Sequence, residues 1–226
     1  MFREGGMGEA LVLIAAQSDP ASTASAISTA INALYSLHRD ILNMVAAAHL
    51  GVSWCLGQAS LQSDAELAAI LRRSARTISF NAAANCWPGW DDDGVTIDER
   101  QVEASLSLAG ICRELAQSLD LGPKAEGTAH WLVGALELAL RRFTAARASF
   151  QEAERSYSAL SEEAPQRLMA KAYDALAATY ESPKSNRAKG ALNDALENLR
   201  ASAKDEAQFF ADQITTAERV FDARLV

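Results

Sequence analysis

Ala146, Phe150 and Ala153 return as Ala188, Leu192 and Ala195, each 42 residues further along the chain. Small, large and small at spacings of four and three place all three side chains on one helix face. The small residues let a neighbouring helix approach, and the large one fills the space between. A chain that uses the pattern twice favours antiparallel helix pairs packed on one another, because one pair alone cannot bury its apolar face. Each triplet sits in the second of two amphipathic runs. The first pair spans roughly 124–141 and 144–160; the second spans roughly 165–181 and 185–200, joined by Glu181-Ser182-Pro183-Lys184.

The stretch Gly134–Ala153, GALELALRRFTAARASFQEA, resembles a tetratricopeptide (TPR) repeat. Gly134 stands at the small first-helix position, Phe143 at the aromatic turn position, and Ala146-x3-Phe150-x2-Ala153 in the second helix. The second pair supplies Leu176-Ala177 and Tyr180 where the family has Leu-Gly and an aromatic. The period exceeds the family's usual length of about 34; a longer linker around Leu160–Pro165 and the Ser182–Ser185 turn take up the excess. Trp131 falls one position later than the family Trp, and the first pair lacks the terminal proline. Upstream, Trp54, Leu56 and Gly57 imitate a first helix, but no matching triplet follows. The resemblance is best over residues 126–200; the other architecture compatible with the pattern is an antiparallel helical bundle.

What the resemblance implies is a non-enzymatic scaffold that binds a peptide or partner helix on the concave face of its first helices. Carried onto this chain, that face comprises Trp131, Ala135 and Leu138 from one pair and Lys171, Asp174 and Ala178 from the next. The family's carboxylate-clamp variant needs Lys, Asn and Arg there. Trp131 and Ala135 occupy two of those positions, which implies a more apolar partner than a chaperone tail.

The remaining chain also reads as helix. Ile27, Ile31, Leu34 and His38 form a stripe at helical spacing, and Ile41–Ser63 carries no charged residue. Although long enough to span a bilayer, that segment is interrupted by Asn43, His49, Ser53 and Gln58, which favours a buried or subunit-contact helix. Ser63 with Glu66 forms a capping box opening a helix through Leu67, Leu71 and Ile78. Trp87-Pro88-Gly89-Trp90 ends it, and Thr96 with Glu99 opens the next, carried by Leu108, Ile111, Leu115 and Leu119 to Gly122-Pro123. Phe210, Ile214, Ala217 and Phe221 mark a final helix. No segment alternates with a period of two. The expected fold is therefore all-α, antiparallel helix pairs, divided as a leader over 1–20, an N-terminal helical region over 21–120, and TPR-like pairs with a terminal helix over 121–226, in one continuous domain.

Composition narrows the function classes. A net charge of −8 disfavours nucleic acid and anionic membrane as partners. Arg141, Arg142, Arg147 and Arg155 are interleaved with Glu152 and Glu154 and read as a solvated face. Three widely spaced cysteines fit buried thiols in a reducing, cytoplasmic setting. The apolar run Ala10–Ala16 follows acidic residues and is a poor signal peptide; Met7 is as good a start as Met1.

Asp91-Asp92-Asp93-Gly94 is the one dense acidic cluster. With Gly94 at the sixth position of a calcium loop, Gly89 and Arg100 fall where ligands should be, so no metal or cofactor is expected. His38, His49 and His130 have no ligand spacing between them. Trp87 and Trp90 either plug the end of the core or rim a ligand site. Two alternative functions follow from this loop: a helical small-molecule-binding protein with the Trp-rich loop at its mouth, or a metal-dependent enzyme using Asp91–Asp93. The charge-poor stretch 21–60 points to a homodimer.

Overall fold

The structure is a computed structural model in which residues 19–161 and 164–225 are described. The leader and the Met1/Met7 choice lie outside the described residues, apart from Asp19 and Pro20. Among those described, the chain is all-α, with nine helices, one 3-10 turn and no strand. The helices are α1 (Pro20–Ser36), α2 (Ile41–Leu61), α3 (Ala65–Ala84), α4 (Glu99–Ser118), α5 (Pro123–Ala139), α6 (Phe143–Ser158), α7 (Pro165–Glu181), α8 (Asn186–Ala201) and α9 (Asp205–Leu225); the turn is Pro88–Trp90. Helices α1 to α3, and α5 to α9, each pack on the next in antiparallel fashion, and none of those described is long and apolar enough to cross a membrane.

The caps differ from the sequence expectation in an instructive way. Asp64, not Ser63, caps α3: its carboxylate accepts from the Glu66 and Leu67 amides at 2.8 and 3.3 Å. An anion at the positive helix end outcompetes a neighbouring hydroxyl. The box before α4 is Asp98 with Gln101 rather than Thr96 with Glu99. The Asp98 amide donates to Gln101 Oε1 at 2.9 Å, and the Gln101 amide donates to Asp98 Oδ1 at 2.8 Å. His38 leaves the α1 stripe, because α1 ends at Ser36 and Arg39 turns left-handed at φ 53°.

The described chain forms two compact units. One is built from the chain up to Cys86 together with Ala104–Asp120. The other joins Trp87–Glu103 to the chain from Leu121 onwards. The segment Trp87–Glu103, placed by sequence in the N-terminal region, thus packs with the C-terminal helices.

In the first unit α1, α2 and α3 pack against one another around Ile27, Ile31, Met44, Val52, Leu71 and Ile78. Cys55, Cys86 and Cys112 are buried free thiols; burial pushes Cys55 and Cys86 up to about 11.

In the second unit two glycines set how closely α5 meets α6. A Cβ on Gly134 would stand 2.7 Å from the Phe150 ring, and one on Gly127 would stand 2.6 Å from the Tyr157 ring. Real side chains do not approach so closely, so glycine is required for both rings to lie on α5. Phe150 is fully buried and Leu192 nearly so, at 0% and 3% exposure. Phe150 also stacks on Tyr173 of α7, ring centroids 5.3 Å apart. Phe150→Ala should therefore cost about 3–5 kcal/mol, read by urea denaturation followed by circular dichroism. A loss below about 1 kcal/mol would mean the site collapses onto the missing ring.

Candidate partner-binding groove

The six residues proposed for one partner-binding face separate into two groups. Trp131, Ala135 and Leu138 of α5 are buried, at 5%, 0% and 1% exposure. No partner reaches them, and the expected face is corrected there. At Trp131 the reason is aromatic packing. Trp87 lies fully buried with its ring 5.6 Å from Trp131 and 5.7 Å from Tyr173. Trp90 lies 4.9 Å from Trp87 and 6.1 Å from Trp131. The turn Pro88–Trp90 also packs against α9, which packs in turn on α7. The chain's own loop thus covers the first-helix face at Trp131.

Gly89 is part of this seat, since a Cβ there would stand 2.3 Å from the Trp87 ring. Asp91 follows in a left-handed conformation, φ 57°, and accepts from Arg219 of α9 at 2.6 Å. Trp87 is accordingly a core plug rather than the rim of a ligand site. The first acidic residue of the Asp91–Asp93 run is engaged by an arginine, and among the described residues no three His, Cys, Asp or Glu side chains group to hold a metal ion. His49 sits half-buried on α2 with Nε2 3.1 Å from the Ala104 carbonyl oxygen, a packing role.

Lys171, Asp174 and Ala178 of α7 line an open groove of about 590 Å³ between α6 and α8. Its floor is made of small and aliphatic side chains: Leu168, Ala175 and Ala178 from α7, and Ala188, Ala191 and Ala195 from α8. Two of these, Ala188 and Ala195, belong to the second triplet. Their counterparts Ala146 and Ala153 are fully buried, because α7 packs over α6. On α8 the equivalent alanines are half-exposed and leave the space empty.

The two walls differ electrostatically. On the α6 side, Arg147 donates to Asp174 Oδ1 and to Glu181 Oε2, both at 2.8 Å. Gln151 donates to the other Asp174 oxygen at 3.2 Å, and Thr144 to the other Glu181 oxygen at 2.6 Å. Hydrogen bonds from Thr144 and Arg147 hold the Glu181 carboxyl below the usual range, and those from Arg147 to Asp174 and Glu181 raise the guanidinium. Lys171 lies 3.5 Å from Glu154, which also meets Arg167 at 3.4 Å. This wall is internally satisfied. On the α8 side, Arg187, Asp194 and Asn198 are exposed and pair with no other described side chain. Their spacing of seven and four places them on one face, between the alanines.

Sequence reasoning missed the α8 wall, because Arg187, Asp194 and Asn198 read as ordinary surface polar residues until α7 is placed beside them. It also missed the Gly127–Tyr157 contact, where the two hydroxyls of Thr128 and Tyr157 lie 3.0 Å apart. The signal was present: the glycines are seven apart, and so are the rings they accommodate, Phe150 and Tyr157. No family model matches this chain, and neither a curated protein nor a solved structure matches it.

Proposed function

We propose that this chain is a non-enzymatic, cytoplasmic, TPR-like scaffold that binds a peptide or partner helix in the groove between α6 and α8. The observation that carries the reading is the contrast between the walls. One wall has consumed its charges in a fixed network, while the other presents a cation, an anion and an amide above a floor of alanines. A partner helix with small side chains on one face seats on Ala191 and Ala195. Its polar flank then meets Arg187, Asp194 and Asn198, which set register and direction. Charge pairing at such a rim contributes selectivity and association rate more than raw affinity. The lining carries three cations and three anions, so a partner of mixed charge fits better than a strongly acidic or basic one.

The test is affinity capture from the native host with the wild-type chain and with the double reversal Arg187→Glu, Asp194→Lys, followed by titration of the captured partner. Reversal should weaken the captured partner by about tenfold or more while helicity and melting stay unchanged. Phe209→Ser, on the exposed part of α9, should leave capture intact. A partner that binds both forms equally would place recognition elsewhere.

A further inference from the structure

Helix α2 carries no charged residue over Ile41–Leu61. Its inner face, with Ile41, Met44, Val45, Ala48, Val52 and Cys55, is buried in the first unit. Its outer face carries Leu42, Ala46, Leu50, Ser53, Gly57 and Leu61, with the exposed polar residues Asn43 and Ser60 beside them. Leu42 is 69% exposed, Leu50 52% and Leu61 76%, and Leu37 in the preceding turn is 75% exposed. Exposed leucines gathered on one side of an uncharged helix mark a contact surface.

Gly57 adds an independent observation. Glycine weakens a helix interior relative to alanine, yet a Cβ at Gly57 would meet nothing within 4 Å. Nothing within the described chain explains it. A backbone approaching from outside does, because glycine permits close contact there.

The outer stripe also has a symmetry that selects its occupant. Its spacings run four, four, three, four, four, the same from either end. Laid antiparallel on a second copy about an axis between Gly51 and Val52, Leu42 faces Leu61, Ala46 faces Gly57, and Leu50 faces Ser53. The smallest pair allows the helix backbones to approach, and the leucines close over both ends. A two-fold contact sets a surface against itself, so any charge on it would meet a like charge. Helix α2 has none over its 21 residues, on a chain whose net charge is −8.

We infer that the outer face of α2 is a self-association surface, and that its occupant is α2 of a second copy, packed antiparallel across a two-fold axis. This contact is separate from the α6–α8 groove and stands whether or not that groove binds a partner. It narrows the expected 21–60 interface to one face of one helix, because α1 turns mainly serine and threonine outward.

Sedimentation equilibrium on the full chain should find a dimer at micromolar concentration. Leu50→Glu brings like charges together across the axis and should weaken the dimer by about a hundredfold or more. Gly57→Leu places a Cβ where nothing in the described chain lies within 4 Å but collides with Ala46 of the second copy, and should give the same result with unchanged helicity. Cysteines at Ala46 and Gly57 test direction. A mixture of Ala46→Cys and Gly57→Cys chains should join through a short bismaleimide faster than Ala46→Cys with itself. A wild-type monomer overturns the proposal, as does a dimer indifferent to both substitutions or faster joining of Ala46→Cys with itself. A monomer that dimerises only after residues 1–18 are removed would mean that the chain's own leader covers the face, and also overturns it. Binding to uncharged vesicles with no dimer in solution would assign the face to lipid.

Discussion

Trp87→Ala should lower the unfolding free energy by about 3–5 kcal/mol, more than any substitution in the open groove. Trp87 is fully buried and its ring meets Trp90, Trp131 and Tyr173 edge-on within 5.7 Å. Removing it opens a cavity walled by rigid rings that cannot fold into the space. Against a typical stability of about 5–15 kcal/mol for a whole domain, the loss decides whether the second unit stays folded. One term works the other way. The Trp87 and Trp131 Nε1 atoms and the Tyr173 hydroxyl are buried with no hydrogen-bond partner among the described residues, and each unmade hydrogen bond costs about 1–3 kcal/mol. Trp87→Phe keeps most of the ring and discards one such group, so it should cost far less than Trp87→Ala. Trp90→Ala, at a half-exposed ring, should also fall well below. Urea titrations read by far-ultraviolet circular dichroism give all three values; equal losses for Trp87 and Trp90 would show that the plug is not the anchor.

Alkaline pH should destabilise the second unit through its buried phenols. Burial pushes the Tyr157 hydroxyl from its ordinary 10 up to about 12, and raises Tyr173 well above its ordinary value. Tyr180 rises too, through burial first and the Asp222 carboxylate second; its hydroxyl donates to Asp222 and to the Glu218 carbonyl oxygen, each at 3.1 Å. Each phenol is neutral when folded and ionises more readily when unfolded. Their contribution is therefore complete below pH 10 and is lost as pH climbs through the folded-state values. For Tyr157 alone the difference amounts to roughly 3 kcal/mol. Stability measured across pH 8–12 should begin to fall above about pH 9, as the buried Cys55 and Cys86 thiols come into play, and fall more steeply above about pH 10 through the phenols. Tyr157→Phe should flatten part of that slope, and an unaltered slope would mean that this phenol is solvated.

Much of the architecture was legible from helical periodicity. The four helices from Pro123 to Ala201 begin and end within a few residues of the expected limits, because Pro123 and Pro165 each sit at the start of a helix and the apolar stripes have no competing period. What periodicity does not contain is the identity of the element that covers a stripe. Trp131, Ala135 and Leu138 stand on an apolar face in either reading. Only the position of Trp87, more than forty residues upstream, decides that this face is filled at Trp131. Conversely, Ala188 and Ala195 match Ala146 and Ala153 in sequence but not in burial, since no helix follows α8 in the way α7 follows α6. The cap errors have a local origin: adjacent Ser63 and Asp64 both accept hydrogen bonds, and the charged one prevails.

The placement of Trp87 also carries a kinetic consequence. Tyr173, one of the rings it packs on, leaves the ribosome roughly 90 residues later, on the order of ten seconds at ordinary synthesis rates. Through that interval the first three helices can already associate, since their partners lie close in sequence. The Trp-Pro-Gly-Trp segment is meanwhile left without its seat, an adhesive patch on a nascent chain. Productive folding of this protein therefore depends on keeping one tetrapeptide out of wrong contacts until the seventh helix emerges. Slowed translation between residues 90 and 170 is the condition most apt to lower its yield.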